Sequence, residues 1–203
     1  MAFGELAPST HAPAKPVDNM LAVQTQKKAE QERLLAQFPQ FRLRQCIPGS
    51  QLDVSAVVLS ELNAVEQEIV LQDATSLAAA IRTRHYSAVQ VTLAFCHASA
   101  IAHQLTNCLT EIFFQEGLDR AATLDRILRE TGEVVGPLHG VPISIKDHIC
   151  MKGLDTSAGY LGWAYKTPAT VDATAVDILR QAGAVLYVKT ANPQTLLASI
   201  SIA

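Results

Sequence analysis

The sequence contains 203 residues, of which 49% are hydrophobic, and it carries a formal net charge of −3 at pH 7. This hydrophobic content excludes disorder as the general state, and the small negative charge gives no reason to expect nucleic acid or an anionic membrane as a partner. A chain of this length can bury a sizeable core, as one domain or as part of a larger one.

The N-terminus shows no sign of a secretory signal, because it lacks a basic start followed by a long apolar run. No segment has the unbroken apolar length of a membrane span, so we expect a cytoplasmic protein. The cysteines form no CxxC motif, which favours buried, reduced thiols over disulfides or metal ligands. They are Cys46, Cys96, Cys108 and Cys150.

Residues 1–60 indicate an N-terminal arm and a helical extension. The first 18 residues, rich in proline, alanine and small polar residues, predict a loose arm. A helix is predicted from Asn19 to Phe38, with Asn19 as its N-cap and Pro39 as its end. We expect this helix to pack on a neighbouring surface, and a partner-binding role remains an alternative.

The middle of the chain predicts a succession of helices. Asp73 or Thr75 can cap one helix, and the segment Ser87–Gln90 fits a capping box at the start of the next. We expect the two histidines on this second helix, His97 and His103, to be structural. Its apolar residues recur at helical spacing on one face: Val89, Leu93, Cys96 and Ala100.

A short strand and a further helix are predicted next. The short segment from Leu109 to Phe114 is mostly apolar, is interrupted by Glu111 and could form a strand. The helix is predicted from Gln115 to Arg129.

The last third of the chain predicts a βαβ unit. Strands are expected at Val141 to Ile145 and at Ala184 to Val188, separated by a glycine-containing loop and a helix that begins at Thr170 or Asp172. The two strands should be parallel, and helices should cover both faces of their sheet.

Two lysines follow these strands and are candidates for chemistry, because ligands bind outside the carboxyl ends of strands in open α/β sheets. Lys146 is either a solvated strand-end lysine near Asp147 or a desolvated one, and the residues alone favour the first interpretation. In the second, burial lowers the lysine pKa, and the neutral amine can act as a general base. Lys189 is interpreted as a structural residue that holds the following turn.

Ser157 and Gly159, in the loop between these strands, are candidates for substrate binding. For Ser157 the sequence favours the alternative, an ordinary loop serine without a functional role. Ser144 lies within the first strand, and we expect it to pack or to hydrogen-bond locally.

Three blocks carry a family resemblance: GPLHGVPISIKD at 136–147, DTSAGY at 155–160 and QAGAVLYVKTANPQT at 181–195. In this order they resemble successive blocks of the amidase signature family, and AIAHQLTNCLTEIFF at 100–114 resembles its fungal acetamidase-like branch. The resemblance runs from about Leu62 to Leu197.

The resemblance implies an α/β fold with a mixed, largely parallel sheet covered by helices. It also implies hydrolysis of carboxylic amides at a Ser–cis-Ser–Lys site, whose lysine falls on Lys146. There the neutral lysine takes a proton through a bridging serine, and the nucleophilic serine forms an acyl-enzyme without a metal or cofactor. The implied partner is a small-molecule amide, and the oligomeric state stays open.

The family carries both serines in a Gly- and Ser-rich run downstream of the third block. This chain contains no Gly-Gly or Ser-Ser pair, and Ser199 and Ser201 lie in an apolar tail without glycine, so neither receives a catalytic role. We interpret residues 61–203 as the N-terminal part of an amidase-like domain, without its serines, inactive alone and prone to aggregate. The alternatives are a non-catalytic interaction module and a relative of amidotransferase subunits.

Overall fold

The computed structural model describes residues 16–44 and 53–196. Helices and strands alternate irregularly along the chain. The helices are α1 (Pro16–Leu35), α2 (Ser55–Glu61), α3 (Ala64–Val70), α4 (Ala74–Arg82), α5 (Ala88–Thr106), α6 (Phe114–Thr131) and α7 (Thr174–Gln181). The strands are β1 (Leu109–Ile112), β2 (Pro142–Lys146) and β3 (Val185–Thr190). None of the helices in these two ranges is long and apolar enough to cross a membrane.

The N-terminal helix begins earlier than predicted. Pro16 opens α1, so Asn19 is not its N-cap, and a proline suits this position because its missing N–H would be unbonded in the first turn anyway. The helix ends at Leu35, and Pro39 instead opens a short 3₁₀ helix. The first 15 residues of the predicted arm, together with Cys46, Ser199 and Ser201, lie outside the described residues.

The predicted helix starts in the middle of the chain are confirmed. The Asp73 side chain accepts a hydrogen bond from the Ser76 N–H, and Ser87 and Gln90 form a reciprocal capping box. The predicted apolar face of α5 is buried or half-buried, and the helix is buried on other sides as well. Residues buried around it include Val91, Thr92, Ala94, Cys96, Ala100 and Ile101. Helix α5 therefore forms the centre of the helical layer.

The sheet has the order β1-β3-β2, with β3 in the middle. Strand β2 pairs with β3 in parallel and β1 pairs with it antiparallel, so the fold is a mixed α/β fold, as predicted. The βαβ unit is also confirmed. Its helix starts at Thr174, later than predicted, and the Asp172 carboxylate instead accepts a hydrogen bond from the Lys152 N–H.

Helices cover both faces of β3, as expected for a buried central strand. On one face, Val185 and Tyr187 pack in apolar clusters with residues of α5 and α6. On the other face, Ala184 and Leu186 pack with Val176 of α7. This alternation explains why β3 reads as a continuous apolar run.

The prediction of buried thiols holds for Cys96 and is wrong for Cys150. Cys96 is buried inside α5, Cys108 is half-buried, and Cys150 is exposed. Cys150 lies just after the turn that follows β2, and its side chain is exposed although Met151 beside it is buried.

The histidines of α5 have structural partners, as predicted. His97 Nδ1 lies 3.1 Å from the Glu66 carboxylate, and His103 Nδ1 accepts a hydrogen bond from the Leu109 N–H. His139, before β2, accepts in the same way from the Val135 N–H. His103 and His139 must keep Nδ1 unprotonated to hold these bonds.

The first prediction concerns acid stability. Burial lowers the pKa of His103 and His139 below 6.5. The unfolded chain therefore binds more protons than the folded one between pH 6.5 and the folded pKa values. The folded state loses stability as the pH falls through this range. His103→Asn keeps an acceptor for Leu109 and should reduce this loss in urea titrations at several pH values. The exposed His85→Asn should leave it unchanged, and an unaltered slope in His103→Asn would contradict the assignment.

A second prediction concerns β2, which has no strand partner on its outer side within the described part of the chain. Such an open edge is a template for pairing with another chain, and a lysine there opposes it. Ser144 is exposed, so Ser144→Lys should reduce association while changing the free energy of unfolding by less than about 0.5 kcal/mol.

Light scattering at several concentrations measures this association. Ala122→Lys on α6 adds the same charge at an exposed site away from the sheet and is the control. Both variants reduce the magnitude of the net charge, which by itself favours association. An equal effect of the two variants, or an unmodified chain that stays monomeric and unfolds cooperatively, would contradict the edge interpretation.

Candidate functional site

The two candidate lysines lie at the same edge of the sheet. Lys146 ends β2 and pairs in register with Thr190, which follows Lys189 in β3. The Asp147 N–H donates to the Thr190 carbonyl oxygen and extends this pairing by one residue. The topology thus brings both lysines to the carboxyl ends of the parallel strands.

Lys146 is exposed in this structure, which agrees with the solvated strand-end interpretation and not with a desolvated lysine. Its side chain alternates with Ile145, which is buried against the α7 side of the sheet. Ser144, two residues earlier, is also exposed, which contradicts packing, the first of the two alternatives expected for it. Both residues are exposed because β2 is an edge strand and this part of it has no covering helix among the described elements.

Lys189 is the desolvated lysine of the pair. Its side chain is completely buried, and its Nζ donates to the Asp155 carbonyl oxygen across the loop that follows β2. Burial lowers the pKa of Lys189, and the charges of Asp147 and Glu111 partly oppose this shift. Lys189 therefore has a structural role, as predicted, but it holds the loop after β2 rather than the turn that follows it.

Ser157 contacts the residue that follows Lys146. Its hydroxyl donates to Asp147 Oδ2 at 3.0 Å, and Asp147 itself is buried. Gly159 has a φ of +82°, and a Cβ atom there would lie 2.9 Å from the Asn192 carbonyl oxygen. The loop can make this close approach only with glycine, so Gly159 shapes the backbone rather than offering a side chain.

A cavity of about 290 Å³ brings Ser157 and Gly159 together. It lies between α1, β1 and the loop after β2, and Asn192 contributes to its wall. Lys146 is not among the lining residues. The structure therefore unites two of the three predicted site residues and leaves the third on the uncovered side of β2.

Helix α1 is held against this region by charges that the sequence analysis missed. Lys27 Nζ lies 2.8 Å from Glu111 Oε1 and 3.6 Å from Asp155 Oδ2. The Tyr165 hydroxyl donates to Glu30, and Lys27 Nζ lies 4.4 Å from the centre of the Tyr165 ring. These contacts join residues far apart in the sequence, and no local pattern indicates them.

Burial disfavours the charged forms of both Glu111 and Lys27 in this cluster. Burial raises the pKa of Glu111, although the hydrogen bond from Lys27 opposes the shift. Burial also opposes the charge of Lys27, but the hydrogen bond and charge of Glu111 outweigh it and raise the lysine pKa. Lys27 thus stays protonated and offsets the two carboxylates beside it.

Comparisons with known proteins agree on one family. The model of a family described as "Amidase" matches residues 90–201. An amidase of Gibberella moniliformis is 41% identical over 177 residues, which cover 84% of this chain and 33% of the relative. An acetamidase of Emericella nidulans is 44% identical over 136 residues, which cover 67% of this chain and 25% of the relative.

A solved structure gives the same result. A fatty acid amide hydrolase superposes with a TM-score of 0.64 and 33% identity, and the match covers 93% of this chain and 28% of that one. The chain therefore spans between about a quarter and a third of the length of these three relatives.

The third prediction concerns Lys189. Since the pKa of Lys189 in the folded state lies below 10.5, this residue contributes a rise in stability with pH between the folded value and 10.5. Burial raises the pKa of Cys96, Tyr165 and Tyr187, and these groups contribute in the opposite direction, so the rise is measured as the difference between the unmodified chain and the variant. Lys189→Met removes the charge and should abolish this rise in urea unfolding at alkaline pH. The exposed Lys152→Met should retain it, and a rise that persists in Lys189→Met would contradict a buried charge.

Proposed function

Because this chain belongs to the amidase family, we propose that it is the N-terminal part of an enzyme that hydrolyses the C–N bond of carboxylic amides. The family match over residues 90–201 carries this proposal. Residues 61–203 would form the first part of the amidase-like domain, and residues 1–60 would be an extension of it. Helix α1 packs on the matched segment through the ion pair of Lys27 with Glu111.

Lys146 is proposed as the general base of this reaction. The residue ends β2, in the first of the three blocks that resemble the family, and its amine must be neutral to accept a proton. The remainder of the domain would cover the exposed end of β2 and desolvate the lysine, which lowers its pKa. The open edge of β2 supports this proposal because it offers a surface for such a cover.

The reaction would follow the order of an acyl transfer. Lys146 takes a proton from a bridging serine, which takes one from the nucleophilic serine as that oxygen attacks the amide carbonyl carbon. The C–N bond then breaks, the amine leaves with a proton, and water hydrolyses the ester of the acyl-enzyme. Both serines are proposed to belong to the part of the domain beyond residue 203, so residues 1–203 alone would have a base without a nucleophile.

Ser157 and Gly159 are proposed to act on the substrate side. Both line the cavity at the carboxyl edge of the sheet, and this position supports their role. Ser157 also bonds to Asp147, beside the proposed base. The loop that lines the cavity therefore also contacts the residue that follows Lys146.

The fourth prediction tests the base. In the longer amidase that contains this segment, Lys146→Ala should lower kcat for amide hydrolysis by about a thousand-fold or more, because residues of a catalytic triad act as a unit. Lys146→Arg keeps the positive charge but cannot supply a neutral amine, so it should be equally inactive. Release of the amine product measures the rate.

Lys152→Ala provides the matched control, since Lys152 is an exposed lysine a few residues later in the same loop. Its activity should stay near that of the unmodified enzyme. Hydrolysis retained by Lys146→Ala would exclude this role. A folded Lys146→Arg enzyme with normal kcat would equally exclude the need for a neutral amine.

A further inference from the structure

Strand β1 lies at one end of the sheet, so one of its sides faces no other strand among the described residues. In its pairing with β3, Leu109 lies opposite Thr190, and the backbone bond here runs from the Ala191 N–H to the Cys108 carbonyl oxygen. In an antiparallel pair of this kind, the residue beside such a bond directs its own N–H and carbonyl oxygen away from the partner strand. Leu109 therefore presents one donor and one acceptor on the outer side of β1.

Side chains from two helices bond to these outward groups. The Leu109 N–H donates to His103 Nδ1 of α5, and its carbonyl oxygen accepts from Gln31 Nε2 of α1 at 2.9 Å. The same Gln31 nitrogen lies 3.3 Å from the Thr110 carbonyl oxygen. A neighbouring strand would offer Leu109 the same kinds of acceptor and donor, so the two side chains take the place of a strand.

A second contact between α1 and β1 lies one helical turn away. Lys27 Nζ is 2.8 Å from Oε1 of Glu111, a residue of β1. Lys27 and Gln31 are four residues apart, so they lie on the same face of the helix. This face of α1 thus covers the outer side of β1, and a covering helix is one way in which proteins prevent a strand edge from pairing with another chain.

The contacts of this face are polar, whereas an apolar anchor of α1 lies at its C-terminal end. Leu35 is buried there in an apolar cluster that includes Phe114. At the other end of the helix, Met20 and Leu21 are exposed. Water can replace the two polar contacts, so their net contribution to stability is small. Helix α1 can therefore swing away from β1 about its anchored end.

The cover on β1 determines how copies of this chain can pair through their sheets. The edge of β2 is open within the described part of the chain. While β1 is covered, two copies can pair only through β2, and a contact between two identical surfaces closes as a dimer. An uncovered β1 could pair with β2 of another copy. That contact joins two different surfaces, so each added copy leaves a free edge and assembly continues beyond the dimer.

We propose that the edge of β1 under α1 is a second docking surface, whose partner is the open β2 edge of another copy of this chain. Gln31 and Lys27 hold α1 over this surface, so association ends at a dimer. An edge strand fits it because its backbone can accept from the Leu109 N–H and donate to the Leu109 carbonyl oxygen. Amide hydrolysis takes no part in this pairing, which goes beyond the proposed function and applies only where β2 is open.

Gln31→Glu is the sharpest test of the cover. Glutamate has the shape of glutamine but no N–H, and its carboxylate would face the Leu109 carbonyl oxygen as a second acceptor. The substitution adds one negative charge to a chain that is already negative, which by itself opposes association. Gln26→Glu is the matched control, because Gln26 is an exposed residue of the same helix and gains the same charge.

Sedimentation velocity of the 203-residue chain at several concentrations measures the size of its assemblies. The unmodified chain and Gln26→Glu should associate no further than the dimer across the range in which Gln31→Glu forms larger species. These species should appear at concentrations at least about five-fold below those that the unmodified chain needs, because one net hydrogen bond is lost from the cover. Gln31→Glu that stops at a dimer, or Gln26→Glu that forms the same larger species, would overturn the proposal.

A double variant identifies the partner edge. A lysine on β2 opposes pairing at that edge, so Gln31→Glu combined with Ser144→Lys should no longer form species larger than a dimer. Gln31→Glu combined with Ala122→Lys, which adds the same charge away from the sheet, should still form them. Aggregation of unfolded chains would persist in both combinations. Larger species that survive Ser144→Lys would therefore overturn the proposal, even if Gln31→Glu loosens the fold.

Discussion

The bond between the Lys189 amine and the Asp155 carbonyl oxygen organises the functional edge of this molecule. A completely buried lysine loses its hydration, which is unfavourable unless a hydrogen-bond acceptor replaces the lost water. The Asp155 carbonyl oxygen is this acceptor for Lys189. The bond ties the central strand to the long loop after β2. In this loop, Asp155 forms an ion pair with Lys27 of α1, and Ser157 donates a hydrogen bond to Asp147. One buried cation thus fixes the positions of a helix, a loop and a strand end.

Apolar packing around α5 and polar contacts at the edge of the sheet stabilise different parts of this molecule. Helix α5 is buried on several sides and supplies the apolar support for α3, α6 and the sheet. The candidate site, in contrast, is held by polar and charged contacts at the rim. This arrangement separates the polar contacts at the edge of the sheet from the apolar core around α5.

Local patterns in the sequence were sufficient for much of the fold. The caps at Asp73 and Ser87 and the βαβ unit depend on neighbouring residues, and the structure has them where they were predicted. The environments of Lys146 and Lys189 could not be predicted in this way. Both lysines end apolar strands, yet one is exposed and the other completely buried, because burial depends on what packs across from each strand.

The ion pair of Lys27 with Glu111 was missed for a related reason. Its partners are distant in sequence, and a helix rich in lysine and glutamate offers several equivalent pairings until the fold selects one. Cys150 shows the opposite error, since apolar neighbours suggested burial and its side chain is exposed, although that of the following Met151 is buried. Periodicity predicts elements well, but it does not indicate which surfaces of those elements meet.

The open side of β2 has a consequence for how such a chain is made. A ribosome releases the N-terminal part first, at about 5–20 residues per second, and domains begin to fold as they emerge. In a longer amidase, α5 and β3 could already be packed while β2 still waits for a neighbouring strand. Until that strand is synthesised, the edge of β2 could bind chaperones or pair wrongly with another nascent chain. Slower translation after residue 203 would prolong this exposed state.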